Sequence, residues 1–84
     1  MSYRVEFHPR AAKELISLDT QVQPRIVAAL EQLSEDPFRH GSIQMKGEQA
    51  RRFRVGEYRI IYDVDTTEKL PIVYRVRHRS EAYR

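Results

Sequence analysis

The sequence has no cysteine and no tryptophan, only two methionines, three glycines and four prolines in 84 residues. Without cysteine there is no disulfide, no thiolate nucleophile and no cysteine metal site. That usage fits an intracellular protein, and the expected location is cytoplasmic. No apolar run approaches the roughly 18 residues of a membrane span. The opening MSYRVEFHPR carries no apolar stretch of the signal-peptide kind. The three histidines, His8, His40 and His78, stand at no metal-ligand spacing from one another, so no metal is expected. Paired-carboxylate motifs, a P-loop and a glycine-rich dinucleotide signature are also missing, and no cofactor is expected. His8, just before Pro9, reads as structural, and His40 as solvated. Ser80 has no evident partner base in the sequence.

What is present is charge. Charged residues make up 32% of the chain and apolar residues 40%, a balance that suits a folded domain with a highly charged surface. The length gives one domain spanning 1–84, and a domain of this size buries only about 60% of its unfolded surface. The net charge is +3, but its distribution is uneven. Residues 1–41 hold five basic and six acidic side chains, whereas residues 42–84 hold ten basic and six acidic. The basic excess lies in the second half, which points to an anionic partner there: nucleic acid or an acidic protein segment.

The apolar spacing sets the fold. Tyr3 to His8 alternates apolar and polar, a half-buried strand with Tyr3, Val5 and Phe7 inward. Pro9 stops it and suits a first helical turn. Ala11, Ala12, Leu15, Ile16 and Leu18 then follow helical spacing, and Val22, Ile26, Ala29, Leu30 and Leu33 form the stripe of a second helix. Asp19 or Thr20 is its expected N-cap, and Asp36-Pro37 its end. Residues 36–50 read as a loop with a brief strand at Ile43–Lys46. The period then changes to two over Arg51–Val55, Tyr58–Val64 and Ile72–Arg77, with turns at Gly56-Glu57 and Asp65–Pro71. The expected fold is α+β in the order β-α-α-β-β-β, an antiparallel sheet with a helical hairpin on one face.

That strand phase separates two sets of side chains. Phe53, Val55, Ile60, Tyr62, Val64, Ile72, Tyr74 and Val76 face the helices. Arg52, Arg54, Arg59, Arg75 and Arg77 take the other face, with Ile61 and Val73 as its apolar floor and Asp63 its acidic member. Like charges on neighbouring strands repel, so stability alone does not favour this set. Long polar residues of any kind would cover a solvated face. Guanidinium is the group suited to gripping phosphate through paired hydrogen bonds. Any catalysis rests on arginine, tyrosine and histidine. RNA cleavage is a reaction where such a set suffices, because the ribose 2′-OH is the nucleophile and the protein positions the strand and stabilises the anionic phosphorane.

The start YRVEFHPRAAKEL, the centre KG-x-x-x-x-R-x-R-x-G-x-YRIIY from Lys46 to Tyr62, and the end RHRSEAYR together resemble the RelE/ParE superfamily of bacterial and archaeal toxins. The resemblance covers nearly the whole chain and implies the same sheet and helical hairpin. RelE-like members cut mRNA in the ribosomal A site without metal, whereas ParE-like members poison DNA gyrase and lack the RNase residues. The RelE-type positions fall on Arg52, Arg54, Arg59, Arg77 and Tyr83. The resemblance implies that Arg59 and Arg52 clamp the scissile phosphate, and that Arg77 stabilises the transition state or protonates the leaving 5′-oxygen. Tyr83 would stack on or orient a base. Lys46, Arg75 and Arg79 are further candidates for binding RNA phosphates. The implied partners are an acidic antitoxin in a hetero-oligomer, the ribosome and mRNA.

Two departures stand out. Founding members carry lysines where this chain has Arg52 and Arg54, and arginine holds its proton too tightly to be a good general base. Three alternatives follow: the base is absent, is His78, or is replaced by electrostatic activation of the 2′-OH. The chain also stops one residue after Tyr83, so the C-terminal helix that some relatives possess is not expected here. A gyrase inhibitor and a homologue that has lost activity are the competing readings.

Overall fold

In the computed structural model, residues 4–36, 42–44, 50–65, 67–68 and 70–82 are described, with 42–44 and 81–82 as backbone only. The element order is β1 (Glu6–Phe7), α1 (Pro9–Ile16), α2 (Gln23–Glu35), β2 (Ser42–Gln44), β3 (Arg51–Val55), β4 (Tyr58–Asp65), β5 (Leu70–His78) and α3 (Arg79–Ala82). The five strands form one sheet in the order β1-β5-β4-β3-β2.

The α+β class and the helical hairpin on one face hold, but the sheet is mixed. The meander β2 to β5 is antiparallel throughout, whereas β1 runs parallel to β5, with Glu6 opposite Ile72 and Phe7 opposite Val73. Alternation in a sequence fixes which face a side chain takes, and says nothing of a strand's distant partner. The brief loop strand is seen at Ser42–Gln44, and the remainder of the expected Ile43–Lys46 lies outside the described residues. Tyr3, His40 and Lys46 lie outside the described residues.

The core forms where the two helices meet the sheet. Ala11 of α1 and Ile26, Ala29, Leu30 and Leu33 of α2 pack with Ile60, Tyr62, Val73 and Val76, and Val5, Phe7, Phe53 and Val55 close its margins. The helix starts are set locally. His8 caps α1, its Nδ1 accepting the Arg10 N–H at 3.3 Å, with Pro9 in the first turn. Asp19 serves the turn before α2 rather than the helix itself: its Oδ1 accepts the Gln21 N–H at 3.0 Å, and Val22 is the N-cap.

Two local features aim the site. Gly56 has φ +58°, in the left-handed region, and a Cβ there would lie 2.8 Å from Arg25 Nη2. The tight β3–β4 turn therefore depends on glycine for its backbone, whereas the flexible end of the Arg25 side chain can move aside. The second feature is a bulge. Ile61 pairs with Arg75 but Tyr62 pairs with Val73, so Tyr74 is the extra residue on β5. The bulge reverses the expected phase at that point. Val73, expected on the arginine face, is wholly buried in the core, and Tyr74, expected inward, is exposed. One inserted residue shifts every side chain on one side of it to the other face.

Candidate functional site

Arg54 stands opposite Arg59 across β3–β4, and Arg59 opposite Arg77 across β4–β5. The three form one transverse row. In the parallel row two residues along, Arg52 faces Ile61. Cross-strand partners share a face. The next row, Phe53, Ile60 and Val76, belongs to the helix side, where Ile60 and Val76 are buried in the core. Arg52, Arg54, Arg59 and Arg77 therefore lie together on the face turned away from the helices. Arg54 is exposed, Arg52 and Arg77 are half-buried, and Arg59 is only 5% exposed. Arg59 and Arg77 both engage neighbouring groups. A small pocket of about 180 Å³ opens at the end of this row, lined by Arg54, Gly56, Glu57, Tyr58, Arg59 and Arg79. Arg79 reaches it from α3, which follows β5 directly and is tied to the turn by the Arg79 N–H on the Glu57 carbonyl at 2.7 Å. Three guanidiniums around so small a space suit one tetrahedral dianion.

Arg75 departs from the expected set. At the bulge its side chain turns to α1, where Nε lies 3.2 and 3.1 Å from the two Glu14 carboxylate oxygens and Nη2 lies 2.9 Å from Oε2. The same carboxylate accepts the Val76 N–H at 2.8 Å. Beyond Val73, β1 no longer covers the β5 edge, and Glu14 takes the backbone donor that a neighbouring strand would otherwise satisfy. Arg75 thus ties α1 to the sheet. No sequence signal pointed to Glu14, which lies 61 positions from Arg75. Tyr83 and Lys46 lie outside the described residues.

His78 stands opposite Tyr58, one step beyond the Arg59–Arg77 pair, and so on the helix side of the sheet. Its ring meets Tyr58 edge-on at 5.1 Å. Nδ1 lies 3.2 Å from the Ser80 backbone N and 2.9 Å from Ser80 Oγ. A backbone N–H only donates, so Nδ1 is the acceptor and the neutral ring carries its proton on Nε2, 3.3 Å from Glu57 Oε2. Ser80, without an evident partner in the sequence, therefore has one. The contact is a local cap at the start of α3, with Nδ1 already taken by an N–H, and it does not activate the hydroxyl. As a proton acceptor for the arginine row, His78 faces the wrong way.

Among the described residues, no three metal-ligating side chains come together, and no helix is long and apolar enough to cross a membrane.

Comparison with known proteins gives concordant matches. Residues 5–83 match the family model of the ParE toxin of the type II toxin–antitoxin system, parDE. Toxin RelG of Mycobacterium tuberculosis is 35% identical over 91 aligned positions, covering 100% of this chain and 99% of that protein. The toxin–antitoxin complex RelBE2 of M. tuberculosis contains a chain with TM-score 0.79 and 28% identity, over 94% of this chain and 100% of that one. The isolated Escherichia coli RelE toxin shares the fold with TM-score 0.80, at 24% identity, over 98% of this chain and 92% of that one.

Proposed function

The chain belongs to the RelE/ParE superfamily of toxins from type II toxin–antitoxin systems, and on that premise we propose that it is a metal-independent endoribonuclease that cuts mRNA in the ribosomal A site and so inhibits translation. The observation that carries this reading is the row Arg54, Arg59 and Arg77 across three strands. It sits beside Arg52, with Arg79 at its end. Such a row holds a scissile phosphate in register with the sheet. The 2′-oxygen attacks phosphorus as its proton passes to water, the P–O5′ bond breaks, and the departing 5′-oxygen takes a proton from water, so the products are a 2′,3′-cyclic phosphate and a 5′-hydroxyl. Guanidinium donors fixed before the reaction stabilise the charge that grows on the non-bridging oxygens. Arg52 and Arg59 clamp the phosphate, and Arg77 supports the leaving oxygen. Tyr83 stacks on a base, and Lys46 adds a phosphate contact. With His78 on the helix side, the 2′-OH is activated by this field rather than by a dedicated base.

The natural partners are a translating ribosome with its mRNA in the cytoplasm, and an acidic antitoxin that covers the basic face in a hetero-oligomer. Relatives crystallised as toxin–antitoxin complexes support the second. The test is primer extension on translated mRNA with purified protein. The wild type is expected to leave A-site cuts, and Arg54→Gln to lose about 100-fold in rate, the usual effect of removing one fixed donor. Absence of cuts from the wild type would overturn the proposal.

One observation favours a second reading. The matching family model is that of ParE, which by family pattern includes gyrase inhibitors. Inhibition of gyrase supercoiling without RNA cleavage would select it.

A further inference from the structure

A cavity of about 430 Å³ lies on the other side of the sheet end from the arginine row. It opens between α1, the α1–α2 corner and the ends of β4 and β5. Leu18 and Val76 give it an apolar floor, and the edge-to-face pair Tyr58 and His78 gives it an aromatic wall. Its rim carries Arg10, Lys13, Glu14, Ser17 and Asp19. Glu14 is committed to Arg75, and Ser17 Oγ to the Lys13 carbonyl at 2.8 Å. Among the described residues, the charged groups of Arg10 and Lys13 have no partner, and Asp19 uses one carboxylate oxygen on the Gln21 N–H. Tyr58 lines both this cavity and the three-arginine pocket. The two are therefore neighbours across a single side chain.

We propose that this cavity is a second nucleotide subsite, holding an unpaired RNA base against the Tyr58–His78 wall with the adjoining phosphate on Arg10 and Lys13. The inference rests on the RNase reading, since it takes the strand from the phosphate pocket around Tyr58. Each part of the cavity matches a part of a nucleotide. Aromatic walls hold bases by stacking whatever their identity. Two uncompensated cations at the rim hold a phosphate. The remaining oxygen of Asp19 is a fixed acceptor, which favours a base carrying an amino donor over uracil. An acidic protein segment would be drawn to Arg10 and Lys13 as well. It carries no planar base to stack on the Tyr58–His78 wall.

The test is an NMR titration of the ¹⁵N-labelled protein with 2′-O-methyl RNA trinucleotides, which bind without being cut. Amide shifts are expected at Lys13, Ser17–Asp19, Tyr58 and His78 as well as along the arginine row. Arg10→Ala/Lys13→Ala changes two exposed, unpartnered side chains and leaves the folded spectrum intact. It is expected to weaken binding about tenfold and to lower the slope of log K against log salt by roughly 0.7 for each phosphate no longer neutralised. Asp19→Asn keeps the turn through its amide oxygen and is expected to abolish any preference over uracil. Shifts confined to Arg52, Arg54, Arg59, Arg77 and Arg79 would overturn the subsite while leaving the RNase proposal standing. Unchanged affinity and salt slope in the double variant would overturn it too. An acidic peptide displacing the RNA shifts in the cavity but not those along the row would reassign it to a protein partner. Cavity shifts with no cleavage in the translation assay would retain the subsite and remove the RNase activity.

Discussion

The two faces of the sheet are built from alternate residues of the same strands and have opposite effects on stability. The helix-covered face offers Ile60, Tyr62, Val73 and Val76, all buried against Ile26, Leu30 and Leu33. The other face offers Arg52, Arg54, Arg59 and Arg77, with like charges directly opposite one another. Burial of apolar surface drives folding on the first, and cross-strand repulsion opposes it on the second. The covered face thus carries the stability that lets the other keep its cations close together. In a domain of 84 residues the margin is small. The largest stability effect is accordingly expected on the covered face. Leu33→Ala, at a wholly buried position, should cost about 2–5 kcal/mol. With a domain of this size losing about 4–8 °C per kcal/mol, the thermal midpoint should fall by about 10 °C or more. Cleavage per folded molecule should stay near wild type. A loss below about 1 kcal/mol in urea unfolding would show that the two faces are not divided in this way.

A smaller effect belongs to the place where the division is broken. At the β5 bulge Arg75 leaves the basic set and pairs with Glu14, the two side chains being 27% and 21% exposed. Glu14→Ala removes the acceptor for the Val76 N–H as well as the ion pair. Hydrogen bonds to charged groups contribute about 1.5–3 kcal/mol each when shielded. Partial exposure weakens the pair, so a total of about 2 kcal/mol is expected by thermal unfolding. Glu14→Gln keeps a neutral acceptor for Val76 and should recover about half. Amide exchange at Val76 separates the two contributions, and it should accelerate in the alanine variant only. Equal exchange in both variants would show that the carboxylate does not cap the edge.

What the sequence disclosed follows from the range over which each interaction acts. The two helices, the hairpin at Gly56-Glu57 and the phase of β3 and β4 are local periodicities, and they stand as read except for the Asp19 or Thr20 cap and for Ile16, which is exposed. Arg52, Arg54, Arg59 and Arg77 were legible as one face because alternation along a strand needs no knowledge of its partner. The parallel pairing of β1 was not legible, because it joins residues more than sixty positions apart. The bulge was hidden for a different reason. Ile72, Val73 and Tyr74 are all apolar, so a shift of one residue leaves the pattern plausible in either phase. Glu14 and Glu57, the carboxylates that hold Arg75 and His78, lay in a helix and a turn with no pattern linking them to either. Ser80 and His78 are only two positions apart, and the residue types for a cap at the strand exit were in plain view.

The smallest expected effect bears most directly on the contrast between the faces. Arg54 is exposed, and its side chain makes no ion pair among the described residues. It stands opposite Arg59, in the same row as Arg77. Replacing it by glutamine removes one charge from the row and takes away little packing. Like charges directly opposite cost about 0.2–1 kcal/mol, and exposure puts this pair at the low end. Arg54→Gln, expected to lose most of its cleavage, should therefore be more stable than the wild type by a few tenths of a kcal/mol. The gain should show at low salt and vanish as ionic strength rises, because exposed charges are screened within about 8 Å at 0.15 M. Leu33→Ala should keep its full penalty at every salt concentration, since apolar burial does not depend on screening. Matched unfolding curves of both variants at two ionic strengths provide the check. If Arg54→Gln were less stable than wild type at low salt, the row would be a structural network in which each guanidinium supports the others. Its cations would then need another explanation than the grip on a phosphate.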